Sequence, residues 1–115
     1  MSNSKLQNPR TDLLMKAVLE VETIDEAYRF LEDVCTIAEI HSIAQRLEVA
    51  ALLRKKATYM DIAARTGAST ATISRVNRAL TYGADGYHTV LDRLEAKGLL
   101  QELYEDAGLS EETAD

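Results

Sequence analysis

The stretch that decides the fold covers residues 58–80 and reads TYMDIAARTGASTATISRVNRAL. Thr58 is typical of a residue that caps the start of a helix. Gly67 accepts the left-handed backbone conformation that commonly ends one, and Ser69 or Thr70 can cap a second helix directly after it. Two short helices joined by such a tight turn predict a helix-turn-helix.

Apolar residues in this stretch recur at helical spacing. Ile62, Ala68, Ile73 and Val76 fall where they would bury the inner faces of both helices against the rest of the domain. Ala63 supplies a small side chain where the second helix crosses the first closely. The pattern therefore predicts one buried face and one exposed face.

The exposed face of the second helix is predicted to be polar. Its residues are Ser69, Thr70, Thr72, Ser74, Arg75, Asn77 and Arg78. Hydroxyls near a helix start suit contacts to phosphate or base edges, and arginine can donate to both acceptors of guanine. This composition favours a DNA-reading helix. Two other interpretations stay open: Gly67 as an ordinary helix end beside solvated arginines, and a helix-turn-helix that contacts only protein.

The charge of the chain is unevenly distributed. The net charge of -6 would repel nucleic acid if it were spread evenly. The segment from Arg46 to Arg78, however, contains seven basic and only two acidic residues. Every charged residue after Lys97 is acidic. We therefore expect a helical DNA-binding domain over residues 1–100 and an acidic C-terminal tail over residues 101–115.

The remaining segments also carry helical patterns, so we predict an all-α fold of about six helices. Further helix starts are indicated by Asn8 with Pro9, by Thr23 with Glu26 and by Thr36 with Glu39. The helix that begins at Thr36 runs to about Arg54 and has apolar residues on several faces. Such a helix is predicted to be buried on more than one side, at the centre of the fold.

Other features of the sequence exclude several classes of protein. Cys35 is the sole cysteine, so it cannot form an intramolecular disulfide, which fits a reducing cytoplasm. His41 and His88 lack partners at metal-binding spacing, so no metal site is expected. We find no phosphate loop, nucleophile elbow, secretory signal or membrane-length apolar run. The chain is therefore predicted not to be an enzyme and to have no membrane partner.

The stretch GASTATISRVNRAL resembles the Trp repressor, which has a Gly-Ala-Gly turn, an Ala-Thr-Ile-Thr-Arg core and a closing leucine. The corresponding residues here are Gly67-Ala68-Ser69, Ala71 to Arg75, and Leu80. The upstream stretch RLEVAALLRKKATYMDIAARTG is also similar to that family. Residues 11 to 99 as a whole resemble the Trp-repressor-related group labelled YerC/YecD.

This resemblance implies a Trp-repressor-like helical bundle that forms an intertwined homodimer and presents two recognition helices to double-stranded DNA. The implied function is that of a bacterial transcriptional regulator, with repression as the expected direction. The DNA contacts of the family carry over to Thr70, Ala71, Thr72, Ser74 and Arg75, and its phosphate contacts to the candidates Tyr59 and Arg65. Ser69 and Arg78 complete the predicted set. A helical protein-interaction module and an architectural DNA-binding protein are the alternatives.

The resemblance departs from the family at the corepressor site. In the Trp repressor, the indole packs beside an arginine that is followed by glycine, with a second arginine from the central helix on its other face. Here Val76 follows Arg75, and Gln45 stands at the place of the second arginine, next to Arg46. The valine side chain would occupy the space that glycine leaves open. We therefore predict no tryptophan cofactor, and the sequence names neither an effector nor an operator.

Overall fold

The computed structural model describes residues 4–109, and these form seven α-helices without a strand. The helices are α1 (Pro9–Leu19), α2 (Ile24–Val34), α3 (Ile37–Arg54), α4 (Tyr59–Thr66), α5 (Thr70–Tyr82), α6 (Gly86–Ala96) and α7 (Gln101–Asp106). The predicted all-α class is confirmed. The helix that the count of about six did not include is α7, which lies in the acidic segment.

Capping side chains stand at the starts of α1 to α5, as predicted, whereas α6 and α7 begin without a side-chain cap. Thr36 and Glu39 form a complete capping box: Thr36 Oγ1 accepts from the Glu39 N–H at 3.1 Å, and the Glu39 carboxylate accepts from the Thr36 N–H at 2.8 Å. At α2 the Thr23 hydroxyl accepts from the Glu26 N–H, but the Glu26 carboxylate reaches one residue further back, to the Glu22 N–H. Both boxes satisfy amides that have no partner within their helix.

The described chain divides by its contacts into two compact units, residues 4–40 and residues 41–109. The second unit has a closed apolar core. Its buried residues are Val49, Ala50, Ala51, Leu52, Ile62, Ala68, Ile73, Val76, Leu91, Leu100 and Tyr104. They come from α3 to α7, so this unit is held together by packing between helices that lie far apart in sequence.

The first unit has no buried side chain among its described residues. Instead, α2 and the start of α3 line an apolar groove of about 260 Å³, formed by Ile24, Ala27, Tyr28, Leu31 and Ile40. Ile24 is 78% exposed and Tyr28 is 64% exposed. The apolar stripes of these helices therefore face solvent in the single chain.

The helix α3 meets its predicted role in part. In its second half, Val49 and Leu52 are fully buried in the core. In its first half, Ile37 and Ile43 are exposed by 72% and 51%, and Leu47, just beyond the middle of the helix, is exposed by 37%. The apolar faces of α3 are thus buried only in its second half, where residues 49–52 belong to the core of the second unit.

The acidic segment, expected as a tail from residue 101, begins with ordered structure. Leu100 and Tyr104 are buried in the core of the second unit at the start and middle of α7. The Tyr104 hydroxyl donates to the Glu95 carboxylate at 2.9 Å, and the Lys55 ammonium lies 4.8 Å from the centre of the Tyr104 ring. Apolar residues at helical spacing anchor the segment despite its charge. Residues 110–115 lie outside the described part of the chain.

Candidate nucleic-acid interface

The predicted turn between α4 and α5 is present with the expected geometry. Gly67 has a φ of 74°, in the left-handed region, and its N–H donates to the Ala63 carbonyl at 2.9 Å. Ser69, rather than Thr70, caps the next helix, because its hydroxyl accepts from the Thr72 N–H at 3.1 Å. Three residues, Gly67 to Ser69, therefore separate the two helices of the helix-turn-helix.

Thr66 is the centre of a hydrogen-bond network at this turn. Its hydroxyl donates to the Ile62 carbonyl at 2.7 Å and accepts from the Ala68 N–H at 3.1 Å. Its own carbonyl accepts from the side-chain amide of Gln45, on α3, at 3.0 Å. The turn is thus tied both to itself and to the central helix.

The inner face of the helix-turn-helix is buried as predicted. Ile62 and Ile73 are fully buried, Val76 is 2% exposed and Ala68 is 5% exposed. Ala63 is partly buried and packs against the same core. Because both helices bury their apolar faces in one core, the opposite face of α5 is held outward.

The predicted DNA-binding residues lie mainly on that outward face. Those that are exposed are Tyr59, Arg65, Ser69, Thr70, Ala71, Ser74, Arg75 and Arg78, while Thr72 is half-buried. In residues 4–109, neither Arg75 nor Arg78 takes part in an ion pair. Their guanidinium groups are therefore available to an external partner, and contact with DNA stays a prediction for the whole set.

Two of these residues also have partners within the protein. The Ser69 hydroxyl donates to Thr72 Oγ1 at 3.1 Å in addition to capping α5. The Arg65 guanidinium donates to the carbonyl of Asp106, at the end of α7. A phosphate contact by Arg65 would have to share or replace this bond. The sequence could not indicate it, because the two residues are 41 positions apart.

The positive charge of the basic segment is smaller at the surface than the sequence count implies. The side chain of Arg54 is only 18% exposed, and it pairs with the carboxylates of Asp92 and, at 3.6 Å, Glu95. It also donates to the His88 carbonyl at 3.2 Å. Arg54 therefore joins α3 to α6 and contributes little to a DNA-facing surface, which sequence reasoning did not reveal.

The Tyr104 hydroxyl joins the same partly buried polar cluster through Glu95. Burial, together with the hydrogen bond to Glu95 and the charge of that carboxylate, raises the pKa of the Tyr104 hydroxyl above its ordinary value. The hydroxyl therefore stays protonated and keeps donating to Glu95. This cluster stabilises the second unit and takes no part in the outward face of α5.

The remaining polar candidates form no further site in residues 4–109. No three histidine, cysteine, aspartate or glutamate side chains in that range come together in a way that could hold a metal ion. His88 donates from its ring to the Leu80 carbonyl at 2.8 Å, and Cys35 is half-buried at the end of α2. None of the helices from α1 to α7 is long and apolar enough to cross a membrane.

Comparison with known proteins agrees with this architecture. The family profile of the Trp repressor protein matches residues 10–95. The uncharacterized protein YerC of Bacillus subtilis is 52% identical over 95 residues, which cover 83% of this chain and 91% of that protein.

Two solved structures share the fold. The crystal structure of a TrpR-like protein from Eubacterium eligens has a TM-score of 0.78 at 58% identity, covering 81% of this chain and 96% of that one. A candidate Trp repressor from Staphylococcus aureus has a TM-score of 0.77 at 45% identity, covering 83% and 95% of the two chains. With its helix-turn-helix in place and most of its length matched, the chain belongs to the Trp repressor family.

Proposed function

We propose that this protein is a cytoplasmic transcription regulator that binds double-stranded DNA as a homodimer and inserts α5 into the major groove. The observation that carries the proposal is the outward face of α5, where Arg75 and Arg78 are exposed without an ion pair in the described chain. The major groove is wide enough to admit an α-helix and displays a distinct pattern of donors and acceptors for each base pair. Membership of the Trp repressor family supports the same function.

The side chains of α5 differ in what they can recognise. Arg75 can donate to both acceptors of a guanine, and the methyl group of Ala71 can contact that of a thymine. Thr70 and Ser74 lie four residues apart, hence on one side of the helix, where their hydroxyls can reach base edges or phosphates. Tyr59, 38% exposed at the start of α4, is placed for a phosphate contact.

A second copy of the chain is the proposed partner of the exposed apolar helices. Proteins that function as monomers rarely expose large contiguous apolar patches. Here the groove between Ile24 and Ile40 is apolar and open, and α1 and α3 carry exposed apolar side chains such as Val18 and Ile43. A two-fold dimer would cover these surfaces and place two α5 helices about 34–36 Å apart, one turn of DNA. Repression is the expected direction of regulation.

We also propose that tryptophan is not the corepressor of this protein. Val76 is 2% exposed, so its side chain fills core space directly after Arg75. Gln45, at the place of the second arginine, donates to Thr66 instead of lining an open site. Isothermal titration calorimetry with L-tryptophan should show no binding, and micromolar affinity would overturn this part of the proposal.

The test of the function is selection of bound duplexes from a randomised DNA pool at near-physiological salt. A dimeric sequence reader should enrich a two-fold symmetric site. Arg75→Ala should weaken binding to that site by about 1–3 kcal/mol if Arg75 reads a base. Arg93→Ala is the matched control, because Arg93 is an exposed arginine on α6, outside both α5 and the proposed dimer surface.

The same experiment distinguishes the alternatives. Binding that falls steeply with salt but enriches no sequence would indicate an architectural DNA-binding protein. Negligible binding at every salt concentration would contradict the proposal and favour a protein-interaction module. If Arg75→Ala bound the selected duplex with unchanged affinity, Arg75 would not contact a base. The proposed DNA-binding function would still hold.

A further inference from the structure

We propose that Gln45 is a positioning residue, which holds the turn of the helix-turn-helix against α3 so that α5 is oriented for DNA without a bound small molecule. The inference rests on the proposed function for its effect on DNA, but not for its effect on the turn. Its basis is the hydrogen bond from the Gln45 side-chain amide to the Thr66 carbonyl, at 3.0 Å and partly buried.

The acceptor of this bond is a group that the helix itself leaves unpaired. Thr66 is the last residue of α4, and the final four carbonyls of a helix have no donor within it. The Ala63 carbonyl is satisfied by the Gly67 N–H. The Thr66 carbonyl is satisfied from another helix, by a residue 21 positions earlier in the chain.

The position of this bond matters because the backbone turns immediately after it. Gly67 has no side chain, and no heavy atom beyond its neighbours lies within 4 Å of where a Cβ would be. Packing at Gly67 therefore does little to fix the direction in which α5 leaves. The buried Ala68 and Ile73 hold α5 against the core, and the hydrogen bonds at Thr66 add a directional constraint at the turn itself. A small rotation there would displace the exposed residues at the start of α5.

The bonds around Thr66 differ in what they join. The Thr66 hydroxyl bonds to Ile62 and Ala68, which belong to the same helix-turn-helix. The Gln45 bond joins the turn to α3, whose second half lies in the core through Val49 and its neighbours. Apolar packing against α3 is not directional, whereas a hydrogen bond is. Gln45 therefore fixes orientation more than it contributes to stability.

The test compares two substitutions at Gln45 with a control elsewhere. Gln45→Met keeps a similar length and volume but removes the donor, and Gln45→Lys restores a donor. Gln101→Met is the matched control, because Gln101 is an exposed glutamine on α7 that donates to Glu105 at 3.1 Å. All variants are made in the full chain, and circular dichroism confirms that each one folds.

Two quantities are measured for each variant: the amide hydrogen exchange rate of Ala68, and the ratio of affinities for the selected duplex and a random one. Loss of one hydrogen bond typically corresponds to an effect of about threefold to tenfold. We expect Gln45→Met to raise the Ala68 exchange rate and to lower the affinity ratio by this factor. Gln45→Lys should recover most of both, and Gln101→Met should change neither.

The two measurements separate the inference from the proposed function. Ala68 exchange that stays at the wild-type rate in Gln45→Met overturns the inference, whatever happens with DNA. Faster exchange with an unchanged affinity ratio overturns the role of Gln45 in reading DNA. If the wild-type protein binds the selected and the random duplex with equal affinity, the proposed function fails. The Ala68 exchange rate then decides by itself whether Gln45 holds the turn. Purified protein refolded from denaturant should keep its affinity ratio, because no small molecule is required.

Discussion

The two units of this protein use apolar residues in opposite ways. In residues 41–109, apolar side chains from five helices meet in a closed core, with Leu52, Ile62, Ile73 and Leu91 fully buried. In the described part of residues 1–40, the helices are as regular and as well capped, yet none of their side chains is buried. Helix formation and core formation are therefore separable here.

This difference explains why the candidate DNA-binding face of α5 belongs to the second unit. A site that depends on orientation requires elements locked by packing, and the helix-turn-helix lies wholly in the unit with the closed core. The first unit presents an apolar groove instead, which suits association with another protein surface. The sequence pattern of the two units looks alike, since both show apolar residues at helical spacing.

The largest expected effect is in the core of the second unit. Ile73→Ala should destabilise the protein by about 2–5 kcal/mol, because it leaves a cavity beneath α5. Ile24→Ala, at a residue of the first unit that is 78% exposed in the single chain, should cost less at a protein concentration too low for dimerisation. Urea unfolding at one fixed protein concentration measures both. If Ile24→Ala proved as costly as Ile73→Ala, the groove would already be covered under those conditions, and the contrast between the units would hold only for a single chain.

A smaller effect is expected from a charge placed in the apolar groove. Leu31→Asp should weaken self-association by about 2–3 kcal/mol, because a carboxylate in an apolar interface loses its hydration without gaining a partner. Leu99→Asp, at an exposed leucine of the second unit, should leave association unchanged. Light scattering with size-exclusion chromatography across a range of concentrations measures the difference. Equal association of the two variants would contradict the proposed dimer surface.

The smallest effect concerns the backbone of the turn. Gly67→Ala should cost about 1–2 kcal/mol, because an alanine is disfavoured at a φ of 74° even where its Cβ has open space. Gly86→Ala is the control: its Cβ would also meet open space, but its φ is ordinary and it begins α6. Thermal unfolding should rank Gly67→Ala below the wild type and Gly86→Ala at or above it. The reverse order would show that the turn is not constrained as described.

Much of the helix-turn-helix could be predicted because its signals are local. A cap such as Ser69 acts on an amide three residues away, and Gly67 permits its own backbone angle, so neither depends on distant parts of the chain. The inner face followed from the helical spacing of Ile62, Ala68, Ile73 and Val76.

The contacts that the sequence did not reveal join residues far apart along the chain. Arg54 stands in a basic run, but its partners Asp92 and Glu95 lie about 40 positions later, so only the packing of α6 against α3 shows that its charge is compensated. The same holds for Arg65 and Asp106. Composition predicted an acidic tail from residue 101 and left its order open, and the buried Leu100 and Tyr104 show that its beginning is ordered.

The sequence by itself thus determined helices α1 to α6, the caps of the first five, the turn at Gly67 and the family. Each of these depends on residues within a few positions or on the order of residue types. Only the tertiary structure decided which apolar faces outside the helix-turn-helix are buried, which arginines remain unpaired and where Gln45 donates its hydrogen bond. The physical reason is that burial and ion pairing depend on which surfaces the folded chain brings into contact. Helical periodicity shows that a helix has an apolar face, but it does not specify which other helix will cover that face.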